Sequence, residues 1–498
     1  MTKQNEKKVA LIFPQMIGAK NQVRRAQPPL GLCYIAGVLE QNGFEIIIID
    51  AVLEGYNFVV PLESDPKLVK YGLSDEMVID KIRTFNPDII GISALFSSQV
   101  ECAFLISRYL KKVLPEVPIV FGGNHATNKC KEIMEKEDTI DFILAGEADY
   151  TFKDYLETHF SDKKYYKIPG LTWREGLKVC QNQKNSLIKD LNTLPFPAWH
   201  MLDMEKYFSI GMPHNPFVKS NRVGCIMTSR GCPEKCYFCS SSEYFGHMFR
   251  AMSSKRVKEM VQYMVDKFGI KELQIEDDSF TVNYKRVVEI CEAIQGMNLR
   301  ITLPNAIRAD MPKDHEKRLK MFSAMRNAGV EQLGISVEHG DQEFLDKVIG
   351  KRLDLREVKI TCELAHKVGL LVHANFMMGF PFETAFHREK TIEFARELDA
   401  DSYSVSLVTP LPGTRLWEVV EENNLFMDGF NVNKALYVHV SIKPCDISPE
   451  ALYELVDNFN RDLNELAQKR RPETAEKYKL FHGKTADGDR KYHFIKDN

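Results

Sequence analysis

The chain has 498 residues, 44% of them hydrophobic and 27% charged, with a formal net charge of -3. That length predicts two or three domains, and the composition is that of an ordinary globular enzyme rather than a fibrous or disordered chain. A near-neutral balance excludes bulk attraction to nucleic acid, and the basic run Lys469-Arg470-Arg471 reads as a solvated helix end.

No apolar stretch approaches the roughly 20 residues needed to cross a bilayer, so no integral membrane segment is expected. The start, "MTKQNEKKVALIF", has an apolar run too short for a signal peptide. A reducing, cytoplasmic location follows, in which eleven cysteines are not a disulfide framework. Cys33, Cys102, Cys130, Cys291 and Cys362 sit in helical patterns and are expected to be small buried hydrophobes.

The fold class expected is α/β. From residue 1 to 150 the runs "KVALIF", "FEIIII", "DIIGIS", "PIVFGG" and "DFILAG" alternate with helical patterns, predicting a doubly wound, five-stranded parallel sheet. Ligands of such sheets sit beyond the carboxyl ends of the strands. These ends read "FPQMIG", "SALFSSQ", "GGNHATN" and "AGEADYTF", which makes Ser97, Gly122, Gly123, His125, Gly146 and Glu147 candidate binding residues. Small residues there let a backbone approach a large ligand. None of the ends has the glycine spacing of a dinucleotide fingerprint, which argues against a nicotinamide cofactor.

Residues 151–215 read as a linker, with two prolines in "LNTLPFPAWH" resisting regular structure. From 216 to 417, strands are expected at 222–228, 271–276, 299–303, 331–337, 370–376 and 402–407, with helices between them. Six β/α units predict a partial barrel whose site lies at the strand carboxyl ends. Residues 418–498 are expected to form a small helical region, with the amphipathic helix "SPEALYELVDNFNRDLNELAQKR" and a polar tail.

Directly after the first barrel strand comes "TSRGCPEKCYFCSS", with Cys232, Cys236 and Cys239. A structural zinc site needs four ligands, usually as two pairs. Here a fourth is missing locally, although His247 is a possible one. Three thiolates on an iron–sulfur cube leave one iron open to a substrate, which accounts for the count.

This C-x3-C-x2-C loop after a first barrel strand, with an aromatic residue before the last cysteine, resembles the radical S-adenosylmethionine superfamily. The resemblance implies a [4Fe-4S] cluster on Cys232, Cys236 and Cys239, with S-adenosylmethionine on the open iron. One-electron cleavage then yields methionine and a 5′-deoxyadenosyl radical. It also implies an electron donor such as flavodoxin or ferredoxin and a small-molecule substrate. "QIEDDSFTVN" ends the second strand with three acids, Glu276, Asp277 and Asp278; by themselves they read as a solvated strand end, but the resemblance implies acceptors for a cationic cosubstrate there, which makes Glu276 and Asp277 candidates. "GISVEHGDQEFL" resembles the fourth-strand segment, placing Glu338 on the cosubstrate; His339 stands where the family usually has Ser. "FMMGFPFET" resembles the fifth-strand segment, whose Gly379 would pass the adenine, and "LVTPLPGTRLW" resembles the sixth, where Arg415 would steady cluster or cosubstrate.

Together with the N-terminal domain, these segments resemble the cobalamin-binding branch of the superfamily, over residues 8–420. No D-x-H-x-x-G motif occurs, so His125 is expected to contact corrin or nucleotide tail, or to hydrogen-bond within its loop, rather than ligate cobalt. Both cofactors together imply methylation of an unactivated carbon. A radical cyclase or ring-rearranging enzyme is the alternative. A methylthiotransferase would need a second cluster, for which Cys33, Cys102 and Cys130 are too dispersed, and a cobalamin or redox sensor would leave the barrel segments without a role.

Overall fold

The structure, a computed structural model, describes residues 7–20, 23–63, 65–184, 187–215, 218–432 and 439–472, and the backbone of 480–484 and 490–494. Much of the expected polar tail lies outside the described residues. The chain divides into two compact units, one running to Ile210 and including Ser240–Gly246, the other built mainly from Gly211–Cys239 and His247 onward.

The first unit is built on β1 (Lys8–Phe13), β2 (Glu45–Asp50), β3 (Ile89–Ser93), β4 (Ile119–Gly122), β5 (Phe142–Leu144), β6 (Leu171–Glu175) and β7 (Lys178–Gln181). They form one sheet in the order β7-β6-β5-β4-β3-β1-β2. The first five are mutually parallel. Val9, Leu11 and Ile12 of β1 are inaccessible to solvent, and burying each aliphatic side chain contributes about 1.5–3 kcal/mol. Continuous burial is what helices on both faces require. The chain turns from β2 to β3 across β1, so a crevice opens at the carboxyl ends of β1 and β3.

The sheet has seven strands rather than five, because β6 and β7 add an antiparallel edge. They come from the stretch expected to be a linker, and that expectation is corrected over most of its length. Phe152, Tyr155 and Leu156 of the helix Thr151–His159 are buried. In "LNTLPFPAWH" the apolar residues decide the outcome. Leu191, Leu194, Ala198 and Trp199 are buried, and Ala198 N–H donates to Cys33 O at 2.9 Å. The prolines restrict regular structure to the short 3-10 turns Leu191–Thr193 and Trp199–Met201 without excluding packing.

The second unit holds β8 (Val223–Ile226), β9 (Glu272–Ile275), β10 (Arg300–Thr302), β11 (Gln332–Glu338), β12 (Leu371–Met378) and β13 (Ser402–Leu407). Two parallel sheets, β8-β9-β10 and β11-β12-β13, are joined by the parallel bridges Ile301–Val330 and Ile307–Ile335. The result is the expected six-stranded open arc. The helix Pro449–Arg470 is N-capped by Ser448 and buries Leu452, Val456, Phe459, Leu463 and Ala467, a helical stripe. It belongs to the barrel rather than to a separate region. Asn460 and Asn464 exchange hydrogen bonds with the backbone of Val405 and Tyr403, which covers the edge of β13. Cys33, Cys102, Cys130, Cys291 and Cys362 are all buried.

Asp50 closes β2 and is only 2% exposed. Its carboxylate accepts from Leu53 N–H and from the Tyr207 hydroxyl. Burial pushes its pKa from 3.8 to about 6, against the opposing Tyr207 hydrogen bond. A carboxyl with a raised folded pKa lends stability that is complete below pH 3.8 and is lost as pH rises through about 6. At ~1.4 kcal/mol per unit, the stability of the native chain relative to Asp50→Asn should fall by about 3 kcal/mol between pH 3.5 and 7. Urea denaturation of both proteins across that range measures it. A difference independent of pH would show that Asp50 ionises normally.

Candidate active site

The cysteine loop is pinned before it begins. Asp277, just past β9, is 2% exposed. Its carboxylate accepts from Thr228 N–H at 2.5 Å and Thr228 Oγ1 at 2.6 Å, and also from the Ser229 hydroxyl. Arg286 stands 3.9 Å from it and donates to Thr228 O at 2.7 Å. Ser229–Arg230 then pairs antiparallel with Arg250–Ala251, so the loop leaves and re-enters through a short ladder. The sequence placed Asp277 on the cosubstrate; the structure commits its carboxylate to the loop base.

Within the loop, Cys232, Cys236 and Cys239 are each half-buried and outside any disulfide. Tyr237 is held on both sides of its peptide plane, N–H to Ile349 O at 2.9 Å and C=O from Leu416 N–H at 2.8 Å. A Cβ on Gly350 would meet the Tyr237 ring at 2.6 Å, so the loop seats on a glycine. The Phe238 and Phe380 rings lie 6.3 Å apart. Burial raises the Cys232 thiol and pushes Cys236 up to about 12, the ammonium of Lys351 opposing and the other two thiols reinforcing the shift on Cys236. The buried Cys236 thiol, beside two others in a low-dielectric loop, is favoured as a thiolate by a cationic centre.

Among the described residues, no group of three or more His, Cys, Asp or Glu converges on a single metal ion. His247 is turned to Glu234 O at 3.0 Å. Three thiols without a local fourth ligand match an iron–sulfur cube with one open corner rather than a four-coordinate zinc ion.

The barrel strand ends supply the remaining candidates. Glu338 ends β11 with φ +70, after a bulge in which Ser336 to Glu338 opposes Asn375 to Phe376. Bulges re-aim side chains, and a non-glycine at such φ marks a constrained site. Glu338 is 7% exposed and paired at 2.7 Å with Lys351, itself 6% exposed. Glu276 accepts from His214 Nδ1 at 2.8 Å, leaving Oε1 buried without a hydrogen-bond partner. Gly379 has φ +88, and its N–H donates to Glu383 Oε2 at 2.6 Å. Arg415 departs from its expected place: it is half-exposed and paired with Glu418 and Glu422 on its own helix. The i+3 and i+7 carboxylates hold it on the helix surface.

In the first unit the ends of β3, β4 and β5 interlock. Ala94 N–H donates to Gly122 O at 2.7 Å, and Ala94 O accepts from His125 N–H at 3.1 Å. His125 Nδ1 and Ser97 Oγ are 2.9 Å apart. Burial lowers the His125 pKa to about 4, so the ring is neutral at physiological pH. Gly146 has φ +82 and donates to Thr127 Oγ1 at 2.9 Å. Glu147, 4% exposed, accepts from Ile188 N–H at 2.8 Å. The six candidates thus lie on three adjoining loops with glycine backbone at two of them.

Lys351 and Glu383 were missed by sequence reasoning. Lys351 lies 13 residues beyond Glu338 with no periodic relation to it, whereas Glu383 stood inside the quoted "FMMGFPFET" and could have been found as a buried partner for the Gly379 turn.

Comparison with known proteins agrees with this division. Family models match twice, the B12 binding domain over residues 19–156 and the radical SAM superfamily over residues 226–395. An uncharacterized methyltransferase of Pyrococcus horikoshii is 33% identical over 421 residues, 84% of each chain. The cytidylyl-2-hydroxyethylphosphonate methyltransferase of Streptomyces wedmorensis is 29% identical, over 92% of this chain and 90% of its own. The anaerobic magnesium-protoporphyrin IX monomethyl ester cyclase of Rubrivivax gelatinosus is 26% identical, over 91% and 77%. Among solved structures, the cobalamin-dependent S-adenosylmethionine radical enzyme OxsB superposes with a TM-score of 0.71 at 17% identity, over 94% of this chain and 71% of that one.

Gly123 is the tightest of the candidate glycines on these three loops. Its φ is +100, and a Cβ there would lie 2.8 Å from the Ala94 carbonyl. Gly123→Ala should destabilise the chain by about 1–3 kcal/mol through strain and part the β3 and β4 loops. Urea denaturation and hydrogen exchange of residues 94–99 report both. Unchanged values for the two would mean that the added Cβ is accommodated without strain and without parting the loops.

Proposed function

We infer that this chain, which belongs to the cobalamin-dependent radical S-adenosylmethionine family, is a methyltransferase acting on an unactivated carbon of a small molecule. The observation that carries the reading is the three-thiol loop at the first strand of a six-stranded arc, on a chain that also bears a B12-binding sheet. When bound, the [4Fe-4S] cluster with S-adenosylmethionine supplies one-electron chemistry able to break a C–H bond, and cobalamin supplies a methyl donor.

The protein's part is to hold and orient. Cys232, Cys236 and Cys239 hold the cluster, and Asp277 fixes the base of their loop. Glu338 and Glu276 offer carboxylate oxygens to the amino end of S-adenosylmethionine, and the backbone at Gly379 lies against its adenine. Lys351 keeps the Glu338 carboxylate neutralised and aimed until that amino group arrives. In the first unit, Gly122, Gly123 and Gly146 let the backbone approach cobalamin, while Ser97, His125 and Glu147 shape the surrounding loops. The neutral, Ser97-bound His125 serves as a hydrogen-bonding wall.

Turnover needs a reductant, for which a flavodoxin or ferredoxin of the cytoplasm fits the low potential required. Among the described residues no helix is long and apolar enough to cross a membrane.

Methylation is preferred to cyclisation on the greater similarity to the methyltransferases, and the two are separable. The protein should be reconstituted anaerobically with iron, sulfide and cobalamin, then given a reductant, methyl-labelled S-adenosylmethionine and cell extract. Methylation predicts one product that gains the labelled methyl group, together with deoxyadenosine. Without cobalamin, deoxyadenosine should persist and the labelled product vanish. Deoxyadenosine with an unlabelled, cyclised product would replace the reading with the cyclase.

The Cys232→Ala/Cys236→Ala/Cys239→Ala variant should hold no cluster and form no deoxyadenosine. Iron content and absorbance check the first, chromatography the second. Retention of a native amount of cluster would place it elsewhere on the chain.

A further inference from the structure

His339 stands where the family usually has Ser, and the structure supplies a reason. The ring is inaccessible to solvent and Glu383 is 2% exposed. Their facing atoms, Nε2 and Oε1, are 3.3 Å apart. The approach is an ion-pair contact whose geometry falls short of a hydrogen bond, and neither atom has another hydrogen-bond partner, so each is the only polar group offered to the other.

The hydrogen bonds around the ring assign its proton. Asp341 N–H donates to His339 Nδ1 at 3.0 Å, and Asp341 is itself fixed by capping Glu343 and Phe344. An imidazole nitrogen that accepts carries no proton, so the neutral ring bears its hydrogen on Nε2, toward Glu383. The Phe344 ring stacks on His339 at 4.5 Å and fixes its plane. The other carboxylate oxygen of Glu383 accepts from Gly379 N–H at 2.6 Å. Glu383 N–H in turn reaches Phe380 O at 3.2 Å.

The turn between these bonds is strained. Gly379 has φ +88 and Phe382 has φ +63, and Phe382 is 48% exposed. A bulky residue in the left-handed region persists only where its surroundings over-determine it. Glu383, bonded across the turn and backed by His339, is such a surrounding.

We propose that His339 is a positioning residue: through Glu383 it clamps the Gly379–Glu383 turn at the carboxyl end of β12 in the shape that receives the adenine of S-adenosylmethionine. The proposal rests on the reading of that turn as the cosubstrate face. A carboxylate is the one side chain here that can accept from both sides, from His339 Nε2–H and from Gly379 N–H. A carboxamide of the same shape must set its NH2 against one of the two donors.

The test uses the full-length, cluster-loaded protein, with two readouts. One is hydrogen–deuterium exchange of peptides spanning residues 376–384 without S-adenosylmethionine. The other is the affinity for S-adenosylmethionine by calorimetry. Glu383→Gln should speed exchange in that peptide at least 10-fold and weaken S-adenosylmethionine binding at least 10-fold, with cluster content unchanged. Adding His339→Ser removes the conflicting donor, so the carboxamide oxygen can return to Gly379. The double variant should therefore bind S-adenosylmethionine more tightly than Glu383→Gln alone. His339→Gln, which keeps an N–H for Glu383, should stay within about 3-fold of the native protein, and His339→Leu should not.

Equal loss in Glu383→Gln and in the double variant, or native exchange in His339→Leu, overturns the clamp. Should Glu383→Gln fail to load its cluster, the His339→Gln and His339→Leu pair decides alone. Fast exchange with native S-adenosylmethionine affinity overturns the assignment of the turn to the adenine. Failure of the native protein to bind S-adenosylmethionine overturns the underlying functional reading, a result distinct from any behaviour of the variants.

Discussion

The buried carboxylate of Asp277 is the constraint on which the barrel's chemistry depends. A cysteine loop has no fixed shape of its own, since glycine, proline and three thiols offer the backbone few internal hydrogen bonds. Asp277 ties the loop's first two residues to the end of β9, and Arg286 ties the same point to Met252 on the returning chain. Both ends of the loop are thereby referred to the sheet. An ionised carboxylate is costly to bury unless it is fully hydrogen-bonded; Asp277 accepts three hydrogen bonds and lies beside a guanidinium. Removing one partner from such a network costs more than its formation contributes.

The other charges at the barrel's carboxyl end follow the same logic. Glu338 is matched by Lys351 and Glu383 by His339, each pair almost without solvent contact. Pairs of this kind add little to stability, because desolvation offsets their attraction. Their effect is on geometry: each carboxylate is held on a strand end next to a residue with positive φ. Glu338 has that φ itself, and Gly379 and Phe382 flank the other pair. Strain and buried charge fall together at the ends of β11 and β12, and the strands' apolar residues, such as Ile335, Val337, Ala374 and Phe376, supply the stability that tolerates both.

The strands were legible because their burial is periodic or continuous. All six barrel strands fall within a few residues of the expected spans, and the five parallel strands of the first unit were visible as apolar runs. The edge formed by β6 and β7 was not. "LTWRE" and "KVCQ" are short and half-polar, so nothing in them separates an edge strand from a loop. The proline-rich segment misled for a related reason. Proline reports on backbone hydrogen bonding, whereas the packing of Leu191, Leu194 and Trp199 is decided by side chains.

At the site, sequence spacing located residues but not their partners. Cys232, Cys236 and Cys239 share one loop, so their grouping is a local property that a motif records. Asp277 and Arg415 were chosen equally by motif, yet their side chains are taken up by Thr228 and by Glu418. Which oxygen or guanidinium remains available depends on contacts across 49 residues in one case and on three or seven in the other. Substitution at a motif position carries its own information. Where a histidine replaces the usual serine, a buried acid within reach is the physical counterpart to look for, because an imidazole donor and a carboxylate satisfy each other where a hydroxyl would leave the charge less compensated. Glu383 answers His339 in that way, and the departure from the family pattern is therefore coupled to the turn that the pattern itself identifies.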